Sequence, residues 1–199
     1  MGPRTKTRPL RHAGRTGVEM SAGRRGAHNS GFSDQMPNAF IALGSNQGDP
    51  RRNVLEAMER LEKYSERPLM RSSLWETQPV DCPPGSPNFV NAVVGLYPKE
   101  EETAETLLQN LLLLEQEFGR MPKKQLNEPR PLDLDLIVFG DQIRSAKSLT
   151  LPHPRAHLRG FVLKPLTEIA PDLVLPGQSG SVSQLLKELP PDKTMRKLS

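Results

Sequence analysis

Four strand-like and two helix-like segments, in the order β-α-β-β-α-β with short helical stretches behind them, predict an α+β fold. No internal repeat and no second apolar core interrupts that order, so one domain is expected over residues 37–199. Two helices packed on one side of a four-stranded antiparallel sheet form the ferredoxin-like arrangement, and the later stretches become a C-terminal helical appendage. A chain of 199 residues is long enough to bury the core this requires.

Ala39-Phe40-Ile41-Ala42-Leu43 is a short apolar run closed by Gly44-Ser45-Asn46, a first strand and a tight turn. Within residues 51–64, Val54, Leu55, Met58 and Leu61 recur at helical spacing and predict an amphipathic helix, which Asp49 or Asn46 helps to cap. Residues 71–80 read as the second strand, with Leu74 and Trp75 among its apolar positions. Three prolines and one glycine make residues 81–87 a stiff loop. A third strand over 89–97 and a strongly apolar helix over 107–118 follow, and a polar loop over 119–128 leads into the fourth strand. Beyond it come Leu149-Thr150-Leu151, a break at Pro152-His153-Pro154, and a helix over 162–169. From Pro171 the tail is rich in Pro, Gly and Ser, with one short helix over 182–189.

Charge is distributed unevenly. Residues 1–36 hold seven bases and two acids, a balance of +5; against the chain total of +4 this leaves the other 163 residues at −1. The folded part is therefore near neutral and offers no electrostatic case for a nucleic-acid surface. Those first 36 residues have neither helical nor strand periodicity and read as a disordered basic extension. It lacks the apolar stretch of a secretory signal. Three origins fit it: a dispensable extension, which is preferred; an organelle transit peptide; or an upstream start codon, with Met20 or Met36 the true first residue. No run of ~18 apolar residues occurs, so no membrane span is expected. The single cysteine, Cys82, cannot form an internal disulfide, which agrees with a cytoplasmic location.

The most informative stretch is Pro129-Arg130-Pro131-Leu132-Asp133-Leu134-Asp135-Leu136-Ile137-Val138-Phe139-Gly140. On a strand Leu132, Leu134 and Leu136 share one face, and Asp133 and Asp135 share the other, roughly 7 Å apart. Two like charges so placed repel each other and resist desolvation. Either water bathes that face or a cation sits between the acids. Hard oxygen ligands with Arg130 beside them suit Mg²⁺ carrying substrate phosphates.

Other clusters fit that reading. Arg120, Lys123, Lys124 and Arg130 precede the acids, and arginines stabilise charge spread over transferring phosphoryl oxygens. Prolines on both sides of His153 hold its backbone as for a pre-positioned donor, with Arg155, Arg159 and Phe161 close behind. Thr77-Gln78-Pro79-Val80 and Phe89-Val90-Asn91 supply hydroxyl, amide and aromatic groups suited to a flat hydrogen-bonding heterocycle. Asn91 is the strongest of these, because an amide buried in mid-strand needs partners. Gly44-Ser45-Asn46-Gln47-Gly48-Asp49 lacks both the Gly-Lys-Ser/Thr ending of a phosphate loop and the three spaced glycines of a dinucleotide turn.

Over residues 40–173 the chain resembles the 6-hydroxymethyl-7,8-dihydropterin pyrophosphokinase family, a group of folate-pathway enzymes. Four motifs carry the resemblance in order and spacing: Ala42-Leu43-Gly44-Ser45-Asn46; Phe89-Val90-Asn91-Ala92; Pro129-Arg130-Pro131-Leu132-Asp133-Leu134-Asp135; and Leu151-Pro152-His153-Pro154 with Arg159-Gly160-Phe161. It implies that ATP donates a diphosphoryl group to the pterin hydroxymethyl oxygen and leaves as AMP. It also implies that Asp133 and Asp135 hold two Mg²⁺ ions, and that Arg120, Arg130 and Arg159 neutralise charge on the phosphates. By the same resemblance Glu115, Lys123, Arg130, Leu136, Thr150, His153 and Arg159 attend the ATP. Thr77, Pro79, Val80 and Asn91 frame the pterin, whose ring lies between Phe89 and Phe161. The implied partners are these two small molecules, with no nucleic acid and no membrane, and the implied state is a monomer. Too few residues flank the core for a fused neighbouring folate enzyme to be expected.

The chain departs from the family pattern in places. Asn127 stands where many relatives have tryptophan, Pro122 where some have an arginine, and Pro154 where some have an aromatic. A catalytically impaired relative is therefore one alternative. The other is a ferredoxin-like nucleic-acid-binding module, against which stand the few aromatics, the neutral body and the two acids on the key strand.

Overall fold

The structure is a computed structural model that describes Gly2 and residues 36–79, 82–121 and 128–199. Apart from Gly2 and Met36, the basic extension lies outside the described residues, as do Val80, Pro122, Lys123, Lys124 and Asn127. The strands are β1 (Ala39–Ser45), β2 (Met70–Arg71), β3 (Trp75–Thr77), β4 (Phe89–Leu96), β5 (Asp133–Phe139), β6 (Arg144–Ala146), β7 (Leu149–Leu151) and β8 (Arg196–Lys197). The helices are α1 (Pro50–Leu61), α2 (Ala104–Glu117), α3 (Gly160–Ile169) and α4 (Val182–Glu188).

Among the described residues, antiparallel pairing orders the main sheet β5-β1-β4-β3-β8, with β2 also on β4. The first four of these strands are the ferredoxin-like order expected from the chain. Apolar residues of β1, β4 and β5 alternate between two cores. Ile41, Leu43, Leu134 and Leu136 meet α1 and α2 on one side, while Phe40, Val93, Ile137 and Val138 meet α3 and α4 on the other. The expected C-terminal appendage is thus the second helical layer, and β1 and β4, buried on both faces, are apolar at nearly every position.

Local chemistry sets the ends of the elements. Asp49 caps α1 by accepting the Arg52 N–H at 3.1 Å, and Pro50 opens the helix where no N–H is required. The buried stripe of α1 is Val54, Ala57, Met58 and Leu61; Leu55, expected on that face, is exposed because it lies one residue round from Val54. Helix α2 begins a turn earlier than the apolar run indicates, through a reciprocal Thr103/Thr106 capping box.

The expected strand over 71–80 is broken in two. Three residues, 72–74, face two on β4, since Arg71 pairs with Val94 and Trp75 with Asn91. Ser72 makes the break possible: its N–H donates to Val93 O at 3.0 Å, and its Oγ accepts the Val93 N–H at 2.9 Å. A second irregularity between Phe40 and Ile41 leaves Ile137 as an extra residue on β5. Its carbonyl is then free to accept the N–H of His153 at 2.8 Å, which ties the chain after β7 to the sheet edge. The β6–β7 hairpin and β8 have no strand-like signature of their own.

Ser72→Ala removes the acceptor of a buried N–H and is expected to destabilise the fold by about 1–3 kcal/mol. Urea unfolding checks this, with a lower midpoint and an unchanged m-value as the expected result.

A candidate active-site cleft on the α3 side of the sheet

A cleft of about 610 Å³ opens on the sheet face covered by α3, and its floor is β1. Register builds it directly. Gly44 of β1 pairs with Asp133 of β5 on one side and with Asn91 of β4 on the other. The acid and the amide therefore stand two strand spacings apart, roughly 10 Å, with Gly44 between them. A Cβ on Gly44 would meet Asn91 Oδ1 at 3.3 Å and Asp133 Cβ at 4.0 Å, so the glycine leaves the floor open. Asp135, two residues along β5, faces the same way across Ala42.

The acids are surrounded by guanidinium groups. Asp133 accepts Arg130 Nη2 at 2.7 Å and lies 2.9 Å from Arg120 Nη1; Asp135 lies 3.4 Å from Arg159 Nη1. His153 Nε2 is 3.8 Å from Asp135 Oδ2, and His153 Nδ1 accepts the Arg155 N–H at 3.2 Å. Burial, with Arg159 and Arg155 nearby, pushes the imidazole below its usual range against the pull of Asp135, so it is neutral at pH 7. Burial and the neighbouring Arg155 likewise lower the affinity of Arg159 for its proton. Arg130 Nε is buried without a hydrogen-bond partner.

At the other end Asn91 Nδ2 donates to Thr77 Oγ1 at 2.8 Å, which fixes the amide and turns its Oδ1 toward the floor. Phe89 and Phe161 line the cleft, each with a guanidinium over its ring: Arg130 at 5.5 Å and Arg159 at 5.3 Å from the centroids. Arg120, Arg130, Arg159, His153, the two acids, Thr77, Asn91, Phe89 and Phe161 thus come together from six separate elements and loops.

Several expected site residues are placed elsewhere. Leu136 packs into the α1–α2 core beside Leu134, on the face opposite Asp135, because successive strand side chains alternate. Thr150 is exposed on the β6–β7 hairpin, where its Oγ1 donates to Ala146 O at 3.3 Å. Pro79 is half-buried and does not line the cleft. Val80 and Lys123 fall outside the described residues. Glu115, 2% exposed, is committed beneath the cleft: it accepts the Leu134 N–H at 2.7 Å and pairs closely with Arg120. Burial pushes this carboxyl up to about 7, despite the Leu134 N–H and the Arg120 charge that favour its ionised form.

The structure adds roles and lining residues that the sequence patterns did not assign. Asn46, expected as a cap, instead holds the turn before β5. Its Oδ1 accepts the Arg130 N–H at 2.9 Å, its N–H donates to Arg130 O at 3.2 Å, and its Nδ2 reaches Pro87 O at 3.4 Å. Asn53 of α1 donates to Pro131 O at 3.0 Å, and Ser45 Oγ to the same carbonyl at 2.6 Å. Together they bolt the Arg130–Pro131 backbone to the start of α1. Gln78, Arg155, Leu158, Leu189, Pro190 and Asp192 also line the cleft. No group of three or more His, Cys, Asp or Glu side chains suited to a metal occurs among the described residues.

Fold and cleft place the chain among ferredoxin-like α+β proteins with a charged cleft on one open face of the sheet. A family model described as 7,8-dihydro-6-hydroxymethylpterin-pyrophosphokinase (HPPK) matches residues 40–171, and the chain belongs to that family. It is 37% identical over 158 residues to the 2-amino-4-hydroxy-6-hydroxymethyldihydropteridine pyrophosphokinase of Synechocystis sp., covering 79% of each chain. It is 36% identical over 162 residues to the Haemophilus influenzae protein of the same name, covering 81% of this chain and 98% of that one. Among solved structures it is similar to a Plasmodium falciparum HPPK-DHPS, with a TM-score of 0.59 and 14% identity, which bears on the fold. That match covers 77% of this chain but 42% of the other, so this chain spans under half the length of that solved chain.

Because the folded Glu115 carboxyl holds its proton to about pH 7 while the unfolded one releases it near 4.5, the folded state binds the extra proton between those values. Its contribution to stability is therefore fully present at the acid side of this window, is lost as pH rises from about 4.5 to about 7, and is flat above it. The group's share is on the order of 3 kcal/mol. Glu115→Gln should flatten that slope, as read from urea midpoints across the pH range.

Proposed function

We propose that this chain transfers the diphosphoryl group of ATP to the hydroxymethyl oxygen of 6-hydroxymethyl-7,8-dihydropterin, leaving AMP. The observation that carries this is the row Asp133–Gly44–Asn91, which sets a charged half and an amide half of one cleft about two strands apart. Family membership and the names of the relatives support it. A cytoplasmic monomer goes with the proposal; no helix among the described residues is long and apolar enough to cross a membrane.

In the amide half, Thr77 already accepts from Asn91, so its own hydroxyl proton and Asn91 Oδ1 remain to pair with the edge of a flat heterocycle. Phe89 and Phe161 supply apolar ring faces. The acceptor hydroxymethyl group would then point along the floor toward β5.

In the charged half, the donor set fits a hard divalent cation: two carboxylates on one strand face, joined by no thiolate and no third ligating side chain among the described residues, leaving positions for phosphate oxygens and water. Asp133 and Asp135 would hold Mg²⁺, two ions in this proposal, which supplies charge neutralisation and alignment to the triphosphate. Each acid is already balanced by guanidinium groups. With a cation held there, Arg120, Arg130 and Arg159 would be free to turn to phosphate oxygens. The unpaired Arg130 Nε is one donor ready for that exchange. Neutral His153 can donate from Nε2, since its Nδ1 is occupied as an acceptor. Glu115 acts from below by holding Arg120 and the β5 backbone.

The acceptor oxygen forms a bond to Pβ, the bond from Pβ to the α,β-bridging oxygen breaks, and AMP leaves with that electron pair. The hydroxyl proton passes to solvent. No side chain need act as a strong base, because positioning and charge compensation lower most of the barrier in such a transfer.

Purified protein should release AMP from ATP only when both the pterin and Mg²⁺ are present. ADP as product, or turnover without pterin, would refute the assignment, and ATP-analogue binding without turnover would mark an impaired relative. Asp135→Ala should lower turnover about a thousandfold or more with little change in thermal midpoint, the acid being partly exposed. Retained activity in that variant argues against the metal role.

A further inference from the structure

The family match ends at residue 171, yet the chain beyond it completes the cleft. Leu189, Pro190 and Asp192 line it together with Thr77, Gln78 and Phe161. From there the chain crosses to the far edge of the sheet, where β8 pairs with β3: Glu76 opposite Arg196 and Trp75 opposite Lys197. Leu198 N–H adds a bond to Leu74 O at 2.8 Å. Side chains alternate along this segment and grip both neighbours. Arg196 Nε reaches Glu76 Oε1 on β3 at 2.8 Å, and Lys197 Nζ reaches Glu168 Oε1 on α3 at 3.1 Å. Glu168 in turn accepts the Ser73 N–H at 2.7 Å, and Met195 Sδ lies 3.7 Å from where a Gly160 Cβ would stand.

β3 carries Thr77 and α3 carries Phe161, so residues 189–198 fasten together the two elements that frame the amide half. They do so at the sheet edge opposite the acids of β5. We propose that this C-terminal segment is a positioning strap for the flat-ring acceptor: Leu189 and Pro190 wall its half of the cleft, and β8 sets the β3–α3 separation that Thr77 and Phe161 require. The proposal rests on the two-substrate reading given above. Among the described residues no ion pair joins the strap to Arg120, Arg130 or Arg159, which balance Asp133 and Asp135, so on this proposal nucleotide binding does not depend on it.

Two full-length variants test this. Leu189→Ala removes wall without touching β8, and Leu198→Pro deletes the N–H that bonds Leu74 O without touching the wall. Each should raise the KM for the pterin about tenfold. The KM for ATP should stay within about twofold, and kcat with saturating pterin should be little changed. Leu189→Met, which keeps the apolar bulk, should restore the pterin KM. Direct fluorescence titration of the pterin, and separate titration of an ATP analogue, give the same comparison without turnover. If wild-type protein binds both ligands but makes no AMP, the functional reading fails while these titrations still judge the strap. Equal loss for both ligands, or no change for the pterin in either variant, overturns the proposal.

Discussion

The site depends on the compensation of two like charges on one strand. Asp133 and Asp135 point the same way from β5, and the fold meets that repulsion with Arg130 and Arg120 at one acid and Arg159 at the other. These pairs are partly buried, so their geometry matters more than it would for exposed ions. Their guanidinium groups come from different places: the start of the loop after α2, the turn before β5 and the cap of α3. A charge problem local to one strand is thereby solved only when the whole domain has closed around it.

Backbone polar groups transmit that constraint. Asn46, 1% exposed, binds both backbone atoms of Arg130, and Asn53 with Ser45 binds the next carbonyl. Glu115 does the same from α2, joining Arg120 to the N–H of Leu134. In both cases a side chain from a helix or helix start holds the backbone around Asp133. Buried amides and carboxyls of this kind are costly unless every partner is present, so they tie the site to correct packing. The bulge at Ile137 works in the same way at Asp135, because its carbonyl anchors His153.

The cleft is divided along the strand order. Acids and arginines gather at the β5 edge, the Asn91–Thr77 pair and aromatic faces lie across β4 and β3, and Gly44 keeps the floor clear between them. Such a division suits a reaction between a polyanion and a flat neutral ring, each held by the chemistry it requires. It also separates the structural supports. The turn before β5 is braced from α1, whereas β3 and α3 are braced by the C-terminal segment.

The sequence by itself determined the order of the main strands and helices, the opposed faces of Leu134 and Asp135, and the identity of most charged groups in the cleft. Periodicity and end caps are written within a few residues, so local chemistry suffices to read them. Residue chemistry singled out Asn91 and the cluster from His153 to Phe161, and motif resemblance implied the role of each. Tertiary structure alone decided the break at Ser72, the bulge at Ile137, the role of Asn46 and the outward turn of Leu55. It also decided that the two terminal residues of β8 form a strand at all. The break, the bulge, the Asn46 contacts and β8 each depend on a partner remote in sequence, whose hydrogen bond or packing surface exists only after the sheet has assembled.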